Sequence, residues 1–227
     1  MYSLMLLNGG VGNRVAAGQP KQLVRVNGIP ILVYSLVAAD GVEGITQIVL
    51  NYPAGWFDDV EKIVLDYAIR TPITYVPAGA TRHESVALML PHCRNDRVII
   101  HESARPLVHT GDFEALVAHP HDDVSYMLPI PFTVAPVDPE TQRVTGSLDR
   151  SRLRNVQLPQ KFLKSTLKAA HEYATAERLS FTEDATLCAQ AGFDIRFIEG
   201  SDSNIKVTTK TDVQFAGYLL GAGANDE

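Results

Sequence analysis

The chain has 227 residues, of which 45% are hydrophobic and 20% are charged, a composition typical of one soluble globular domain. Its net charge of −6 argues against duplex nucleic acid as a partner, and no apolar run approaches the roughly 20 residues that a membrane-spanning helix needs. The two cysteines, Cys93 and Cys188, are too few for a disulfide framework or a zinc site. We therefore expect a cytoplasmic protein with neither a nucleic acid nor a membrane as partner.

Strand and helix patterns alternate along the first 131 residues. Apolar runs predict strands at 2–7, 45–53, 73–79, 97–106 and 124–131, and helical periodicity predicts helices at 31–39, 56–69, 83–90 and 111–119. Strands that are apolar throughout are typical of a parallel sheet covered on both faces. The alternation predicts an α/β fold, a Rossmann-like three-layer sandwich with a mostly parallel sheet.

The pattern changes after residue 131. Residues 132–162 combine three prolines, polar alternation and the turn signal "DPETQ". They predict a protruding β-arm, at about residues 132–160, on a single domain that covers residues 1–227. Beyond the arm we expect helices at 161–178 and 182–192, a strand at 194–200 and a final helix.

A glycine-rich segment, "LNGGVGNRVAAGQPKQ" (7–22), follows the first strand, at the sheet edge where open α/β sheets bind ligands. It is not a P-loop, because Gly18 is followed by Gln19 and Pro20, and Pro20 also breaks the helix that a dinucleotide fingerprint requires. Glycines allow backbone N–H groups to approach phosphates, and Arg14 and Lys21 supply positive charge. The segment therefore predicts a phosphate-binding loop, with a plain connection as the alternative.

Five motifs follow one another along essentially the whole chain. They are "GGVGNR" with "PKQ", "GATRHESV" (79–86), "HESARP" (101–106), "LPQKF" (158–162), and "TEDATL" with "NIKVTT". In this order and spacing they resemble the cytidylyltransferases that make CDP-alcohols, namely the 2-C-methyl-D-erythritol 4-phosphate and ribitol-5-phosphate cytidylyltransferases. The resemblance implies CTP and a polyol phosphate as substrates, Mg²⁺ or another divalent cation as cofactor, and a homodimer.

The implied reaction is nucleotidyl transfer, in which a phosphate oxygen of the acceptor attacks the α-phosphorus of CTP and pyrophosphate leaves. A phosphate monoester has a second pKa near 6, so the nucleophile is already charged at neutral pH and no general base is needed. The enzyme has to bring two anions together and stabilise the charge of the transition state.

The resemblance assigns roles residue by residue. The catalytic cations are Arg14, Lys21 and Lys206. The nucleotide-binding residues are Asn8, Gly9, Gly10, Gly12, Gly79, Ser85 and Glu102. Glu102 stands where the family has the aspartate that holds Mg²⁺, so it is also the candidate metal ligand, with one methylene more than an aspartate.

Four further residues match the acceptor-binding positions of the family. They are Arg105, Thr133, Arg150 and Thr182. In the family the arm carries its arginine into the site of the partner subunit, and here Arg152 and Arg154 are alternatives to Arg150 for that role.

Two departures concern the acceptor. The chain has "FTVA" where the erythritol-phosphate enzymes carry D-T-(I/M)-K, and Leu158 where they carry a threonine. Together with "NGGVGNR" and Trp56, these favour ribitol-5-phosphate as acceptor, with the methylerythritol phosphate enzyme of isoprenoid biosynthesis as the alternative. The glutamate at position 102 is also compatible with a different interpretation, in which the protein is a non-catalytic nucleotide-binding module. Such a module, however, has little reason to keep Arg14, Lys21 and Lys206.

Overall fold

The computed structural model describes residues 1–10, 15 and 18–222, and within them a seven-stranded sheet forms the centre of the molecule. Its strands are β1 (Tyr2–Leu7), β2 (Ile45–Tyr52), β3 (Ile73–Pro77), β4 (Arg97–Glu102), β5 (Val124–Pro129), β6 (Arg154–Leu163) and β7 (Arg196–Glu199). Their spatial order is β7-β5-β6-β4-β1-β2-β3. Strand β6 is antiparallel to both of its neighbours, while the other neighbouring pairs are parallel. The predicted mostly parallel α/β sheet is confirmed.

Helices cover both faces of the sheet. They are α1 (Ile31–Asp40), α2 (Phe57–Asp66), α3 (Arg82–Met89), α4 (Thr110–Ala118), α5 (Lys164–Ala176), α6 (Asp184–Gln190) and α7 (Lys210–Ala222). Side chains of β1 alternate between two hydrophobic clusters: Leu4 packs with residues of α1, α2 and α4, and Met5 with residues of α3, α5 and α6. This division produces the three layers. No helix of the described residues is long and apolar enough to cross a membrane.

Strand β6 differs from the prediction. The predicted helix at 161–178 is wrong at its start, because β6 continues to Leu163 and α5 begins at Lys164. Three polar side chains of this strand, Gln157, Gln160 and Lys161, are buried. Because they are polar, the sequence of the strand lacks the apolar pattern that predicts a buried strand. Lys161 Nζ donates to the His119 carbonyl at 2.6 Å, which satisfies part of its hydrogen-bonding capacity inside the protein.

The arm is shorter than predicted. The hairpin itself is present, with Val137–Asp138 pairing antiparallel with Arg143–Val144 around the expected turn. Residues 154–160, however, lie in β6 within the central sheet. The protruding segment is therefore confined to the residues between β5 and β6.

Candidate active site

A cavity of about 590 Å³ opens at the carboxyl ends of the four adjacent parallel strands β4, β1, β2 and β3. Its location is the one that open α/β sheets use for ligands. Seven of the residues singled out in the sequence line it: Gly9, Gly10, Lys21, Gly79, Ser85, Glu102 and Lys206. Residues from the start, the middle and the end of the chain therefore converge on one cavity.

Backbone forms part of the cavity wall because two positions have no room for a side chain. A Cβ atom on Gly9 would overlap the Cβ of Ala78, and one on Gly79 would lie 2.7 Å from Glu84 Cβ and 2.9 Å from the Ser85 nitrogen. These contacts are closer than van der Waals packing permits. Glycine at both positions lets a ligand approach the main chain directly.

The turn before α3 is held by its own side chains. Ser85 Oγ accepts a hydrogen bond from the Gly79 N–H at 3.1 Å, and Thr81 Oγ1 caps the helix by accepting from the Glu84 N–H at 3.1 Å. Ser85 and Thr81 both line the cavity. The N-terminus of α3 therefore borders the cavity, where its partial positive charge favours an anionic or polar ligand.

Glu102 is surrounded by cations. Its Oε2 lies 2.7 Å from Lys206 Nζ and 3.9 Å from Arg105 Nε, and its Oε1 lies 3.3 Å from Arg82 Nε. Burial raises the pKa of the Glu102 carboxyl, but the positive charges of Lys206 and Arg82 outweigh burial and hold the pKa below its usual value. The carboxylate is therefore ionised at neutral pH.

Arg82 is a cavity residue that the sequence reasoning missed. It lines the cavity, contacts Glu102, and forms a second ion pair in which its Nη1 lies 2.6 Å from Asp184 Oδ2. The signal that marks it is its place in "GATRHESV", the same motif that supplies Gly79 and Ser85. Its partner Asp184 belongs to "TEDATL", so the fold joins two of the motifs at this point.

The two described catalytic candidates lie close together along the rim. Lys21 Nζ donates a hydrogen bond to the Val207 carbonyl at 2.9 Å, beside Lys206, and both lysines line the cavity. The remaining members of the glycine loop singled out above, Gly12 and Arg14, lie outside the described residues.

Asn8 and Arg105 are among the predicted site residues that do not line the cavity. The sequence predicts a nucleotide contact for Asn8, but its side chain is buried and its Oδ1 accepts a hydrogen bond from Ser103 Oγ at 2.7 Å. Arg105, predicted to bind the acceptor, donates from Nη1 to the Asn204 carbonyl at 2.7 Å. In the structure Arg105 therefore anchors the segment that carries Lys206.

The other acceptor candidates are exposed and lie away from the cavity lining. Thr133 and Arg150 belong to the arm, where Arg150 Nη1 donates to the Pro131 carbonyl at 3.0 Å. Thr182 precedes α6 and is also exposed. Their roles stay predictions, since the cavity of a single described chain is lined without them.

Among the described residues that line the cavity, Glu102 is the one carboxylate available to a divalent cation. Within the described part of the chain, no group of three or more His, Cys, Asp and Glu side chains is placed to hold a metal ion. Glu102 is, however, an ionised carboxylate on the cavity wall, and Mg²⁺ is commonly held by one or two carboxylates together with phosphate oxygens. The donor set therefore suits a cation that arrives with a nucleotide.

A glycine-walled cavity at the carboxyl edge of a parallel sheet, bordered by lysines and one carboxylate, is typical of α/β proteins that bind phosphate-bearing ligands. The comparisons with known proteins agree. Residues 3–222 match the family described as IspD: 2-C-methyl-D-erythritol 4-phosphate cytidylyltransferase, and the chain belongs to this family. Members of the family are cytidylyltransferases, a class of nucleotidyltransferase with CTP as a substrate.

Individual relatives match over nearly their whole length. The 2-C-methyl-D-erythritol 4-phosphate cytidylyltransferase of Dictyoglomus thermophilum is 34% identical over 223 residues, covering 92% of this chain and 96% of the relative. That of Bacillus cytotoxicus is 32% identical, with 97% and 98% covered. The solved structure of the enzyme from Thermus thermophilus is similar with a TM-score of 0.74 at 26% identity, covering 96% of this chain and 98% of that one. The fold of 4-diphosphocytidyl-2C-methyl-D-erythritol synthase from Anaerococcus prevotii matches with a TM-score of 0.84 at 24% identity, covering 97% and 96%.

These relatives favour methylerythritol phosphate as the acceptor. The departures in the sequence had instead favoured ribitol phosphate. The structure places Leu158, one of these departures, away from the cavity. Its side chain packs in the hydrophobic cluster formed with α3, α5 and α6, outside the cavity lining, and its carbonyl accepts a hydrogen bond from Asn204 Nδ2 at 2.8 Å. A threonine hydroxyl at this position would therefore lie outside the described cavity.

Proposed function

We propose that the protein transfers CMP from CTP to 2-C-methyl-D-erythritol 4-phosphate and releases pyrophosphate, in the cytoplasm. The observation that carries the proposal is the family match over residues 3–222 together with a cavity in which the motif residues Lys21, Glu102 and Lys206 meet. The relatives named above act on this acceptor according to their names.

In the proposed reaction a phosphate oxygen of the acceptor forms a bond to the α-phosphorus of CTP. The bond between the α-phosphorus and its bridging oxygen to the β-phosphate breaks, and that oxygen leaves with pyrophosphate. Lys21 and Lys206, with Arg14 from the glycine loop, neutralise the charge that accumulates on the phosphates. The carbonyl contact of Lys21 fixes its ammonium group at the rim in advance, so little reorganisation is needed.

Glu102 is the residue that we propose to hold Mg²⁺. When bound, the cation screens the negative charge of the triphosphate and polarises the phosphate that reacts. The low pKa of Glu102 supports this role, since a carboxylate must be ionised to serve as a ligand.

We further propose that the arm, which the sequence predicts at about residues 132–160, forms a homodimer and that Arg150 reaches the partner's acceptor site. Apolar side chains on the arm support this proposal, because Phe132 and Val144 are 78% and 69% exposed in a single chain. Exposed apolar surface of this kind is typical of a segment that packs against another protein surface. Thr133 lies in the same segment, and Thr182 is proposed as a further acceptor contact.

The test is pyrophosphate release by the purified protein with CTP and Mg²⁺, with methylerythritol phosphate and ribitol-5-phosphate offered separately. We expect turnover with methylerythritol phosphate and at most a small fraction of that rate with ribitol-5-phosphate. Turnover with ribitol-5-phosphate alone contradicts the proposed acceptor. Binding of CTP without pyrophosphate release from either acceptor contradicts the proposed reaction.

A further inference from the structure

Five ionisable side chains form a row that begins on the cavity wall and continues into the protein. From the cavity inwards they are Lys206, Glu102, Arg82, Asp184 and His171. The closest atoms of successive members lie 2.7, 3.3, 2.6 and 3.6 Å apart. Asp184 and His171 do not line the cavity, so neither is placed to touch a nucleotide bound there.

The two oxygens of Glu102 have different surroundings. Oε1 faces Arg82, whose side chain is 20% exposed, whereas the nearest cation to Oε2 is Lys206, whose side chain is 40% exposed. Arg105 Nε lies farther from Oε2, at 3.9 Å. Arg82 is also tied to a second carboxylate, while Lys206 lies on the rim, where a triphosphate would compete for it. One oxygen is therefore held from inside the protein, and the other is paired with a residue that a ligand can draw away.

Asp184 is the part of the row that holds Arg82 in place. Its side chain is 2% exposed, and it is the first residue of α6, which Glu183 caps by accepting hydrogen bonds from the Ala185 and Thr186 N–H groups at 3.1 and 2.9 Å. Burial raises the pKa of Asp184, but Arg82 and His171 lower it below its usual value, so the carboxylate is ionised. A largely buried guanidinium needs such a partner to remain in place.

We propose that Asp184 is a positioning residue for the cation site: through Arg82 it fixes Oε1 of Glu102, so that Oε2 is presented to the divalent cation that accompanies CTP. The inference rests on the proposed function, in which Glu102 holds that cation. Lys206 leaves Oε2 for the triphosphate as the nucleotide binds. Groups that orient a metal ligand from outside the coordination shell alter metal affinity by about 10- to 100-fold when they are changed.

A purely structural role for Asp184 makes a different prediction. If the row only stabilises the fold, changing Asp184 lowers the melting temperature and leaves cation affinity unaltered in the protein that remains folded. If Asp184 positions Glu102, cation affinity falls while CTP binding without a cation is retained. Cation affinity therefore separates the two roles where stability does not.

The experiment compares Asp184→Asn, which removes the charge at nearly constant volume, with Arg82→Lys, whose single ammonium group does not bridge two carboxylates in the manner of a guanidinium. Asp122→Asn is the matched control, since Asp122 also pairs with an arginine, its Oδ1 lying 2.9 Å from Arg97 Nη2, but it does so away from the cavity. Mn²⁺ binding is followed by electron paramagnetic resonance in the presence of CTP and without acceptor. Calorimetry measures CTP affinity in EDTA, and thermal unfolding shows that each variant is folded.

We expect Asp184→Asn and Arg82→Lys to weaken Mn²⁺ binding to the CTP complex about tenfold or more. CTP affinity in EDTA should change by less than about twofold in Asp184→Asn, because Asp184 does not line the cavity. The Asp122→Asn control should match the wild type in both measurements. Folded Asp184→Asn protein that binds Mn²⁺ as tightly as the wild type overturns the inference and leaves the proposed function standing. Wild-type protein that binds no CTP overturns the proposed function itself, and the inference with it.

Discussion

The cavity at the carboxyl edge of the sheet and the arm are built in different ways. The cavity is made by the ends of four adjacent strands, and its charged residues hold one another through contacts within the chain, as Lys206, Glu102 and Arg82 do. The arm has one short hairpin, and its apolar side chains Phe132, Val137 and Val144 are exposed. A cavity whose walls come from one chain keeps its shape in an isolated subunit. Residues on an exposed arm, in contrast, need contact with another protein surface in order to act. We therefore expect changes in the cavity to act within one subunit and changes in the arm to act across two.

The largest expected effect comes from Lys206→Ala, which removes the cation that we propose to act on the reacting phosphates. Loss of one group that stabilises transition-state charge costs about 100- to 1000-fold in kcat. Steady-state kinetics with CTP and methylerythritol phosphate measure it. The matched control is Lys210→Ala, since Lys210 is an exposed lysine that does not line the cavity. A loss of less than about tenfold in Lys206→Ala would contradict its assignment to the reaction.

The arm is tested by Arg150→Ala, for which we expect the KM of the acceptor to rise about 10- to 100-fold with little change in the KM of CTP. Loss of one charge-assisted contact to a phosphate has an effect of this size. Kinetics with each substrate varied in turn separate the two KM values. Equal changes in both would place Arg150 outside the acceptor site.

Mixing the Arg150→Ala and Lys206→Ala variants, each of which has low activity when the acceptor concentration is below the raised KM, sharpens the same comparison. If Arg150 acts in the partner's site, a heterodimer of Arg150→Ala and Lys206→Ala chains contains one intact site, and random exchange of subunits restores about a quarter of all sites. Activity is measured after unfolding and refolding the two variants together. No recovery above the sum of the separate variants would show that Arg150 acts within its own chain.

A smaller effect is expected from Gly79→Ala in the cavity wall. The new Cβ would lie 2.7 Å from Glu84 Cβ and 2.9 Å from the Ser85 nitrogen, so the turn has to move. We expect the KM of CTP to rise about tenfold, with a smaller effect on kcat, because the backbone that faces the nucleotide is displaced. The control is Gly111→Ala, where a Cβ meets nothing within 4 Å. Unchanged CTP affinity in Gly79→Ala would exclude this turn from the nucleotide site.

The smallest effect concerns stability against acid. The folded-state pKa values of Glu102 and Asp184 are lowered, so their contribution to stability is present above their unfolded pKa values near 4 and is lost as the pH falls through the lower folded values. We expect the free energy of unfolding in urea to fall less between pH 5 and about pH 3 for Asp184→Asn than for the wild type. An identical fall in both proteins would show that protonation of Asp184 makes no contribution to the pH dependence of the free energy of unfolding.

The sequence predicts most strands well, because short runs that are rich in apolar residues, such as 2–7 and 45–53, are typical of strands buried in a parallel sheet. The prediction fails at β6, where Gln157, Gln160 and Lys161 are polar yet buried. Each of them has a hydrogen-bond partner in a distant segment of the chain. The motifs predict Gly79, Glu102 and Lys206 at the cavity. They do not reveal the contact between Arg82 and Asp184, because residues far apart in the chain meet only once α3 and α6 have packed on the sheet.

The most direct test of the proposed reaction is a competition followed by phosphorus NMR. The purified protein is given CTP and Mg²⁺ with equal concentrations of methylerythritol phosphate and ribitol-5-phosphate in one tube. The account predicts new diphosphate signals from CDP-methylerythritol, an equal amount of pyrophosphate, and an unchanged ribitol phosphate signal. Consumption of ribitol phosphate while methylerythritol phosphate remains would contradict the account.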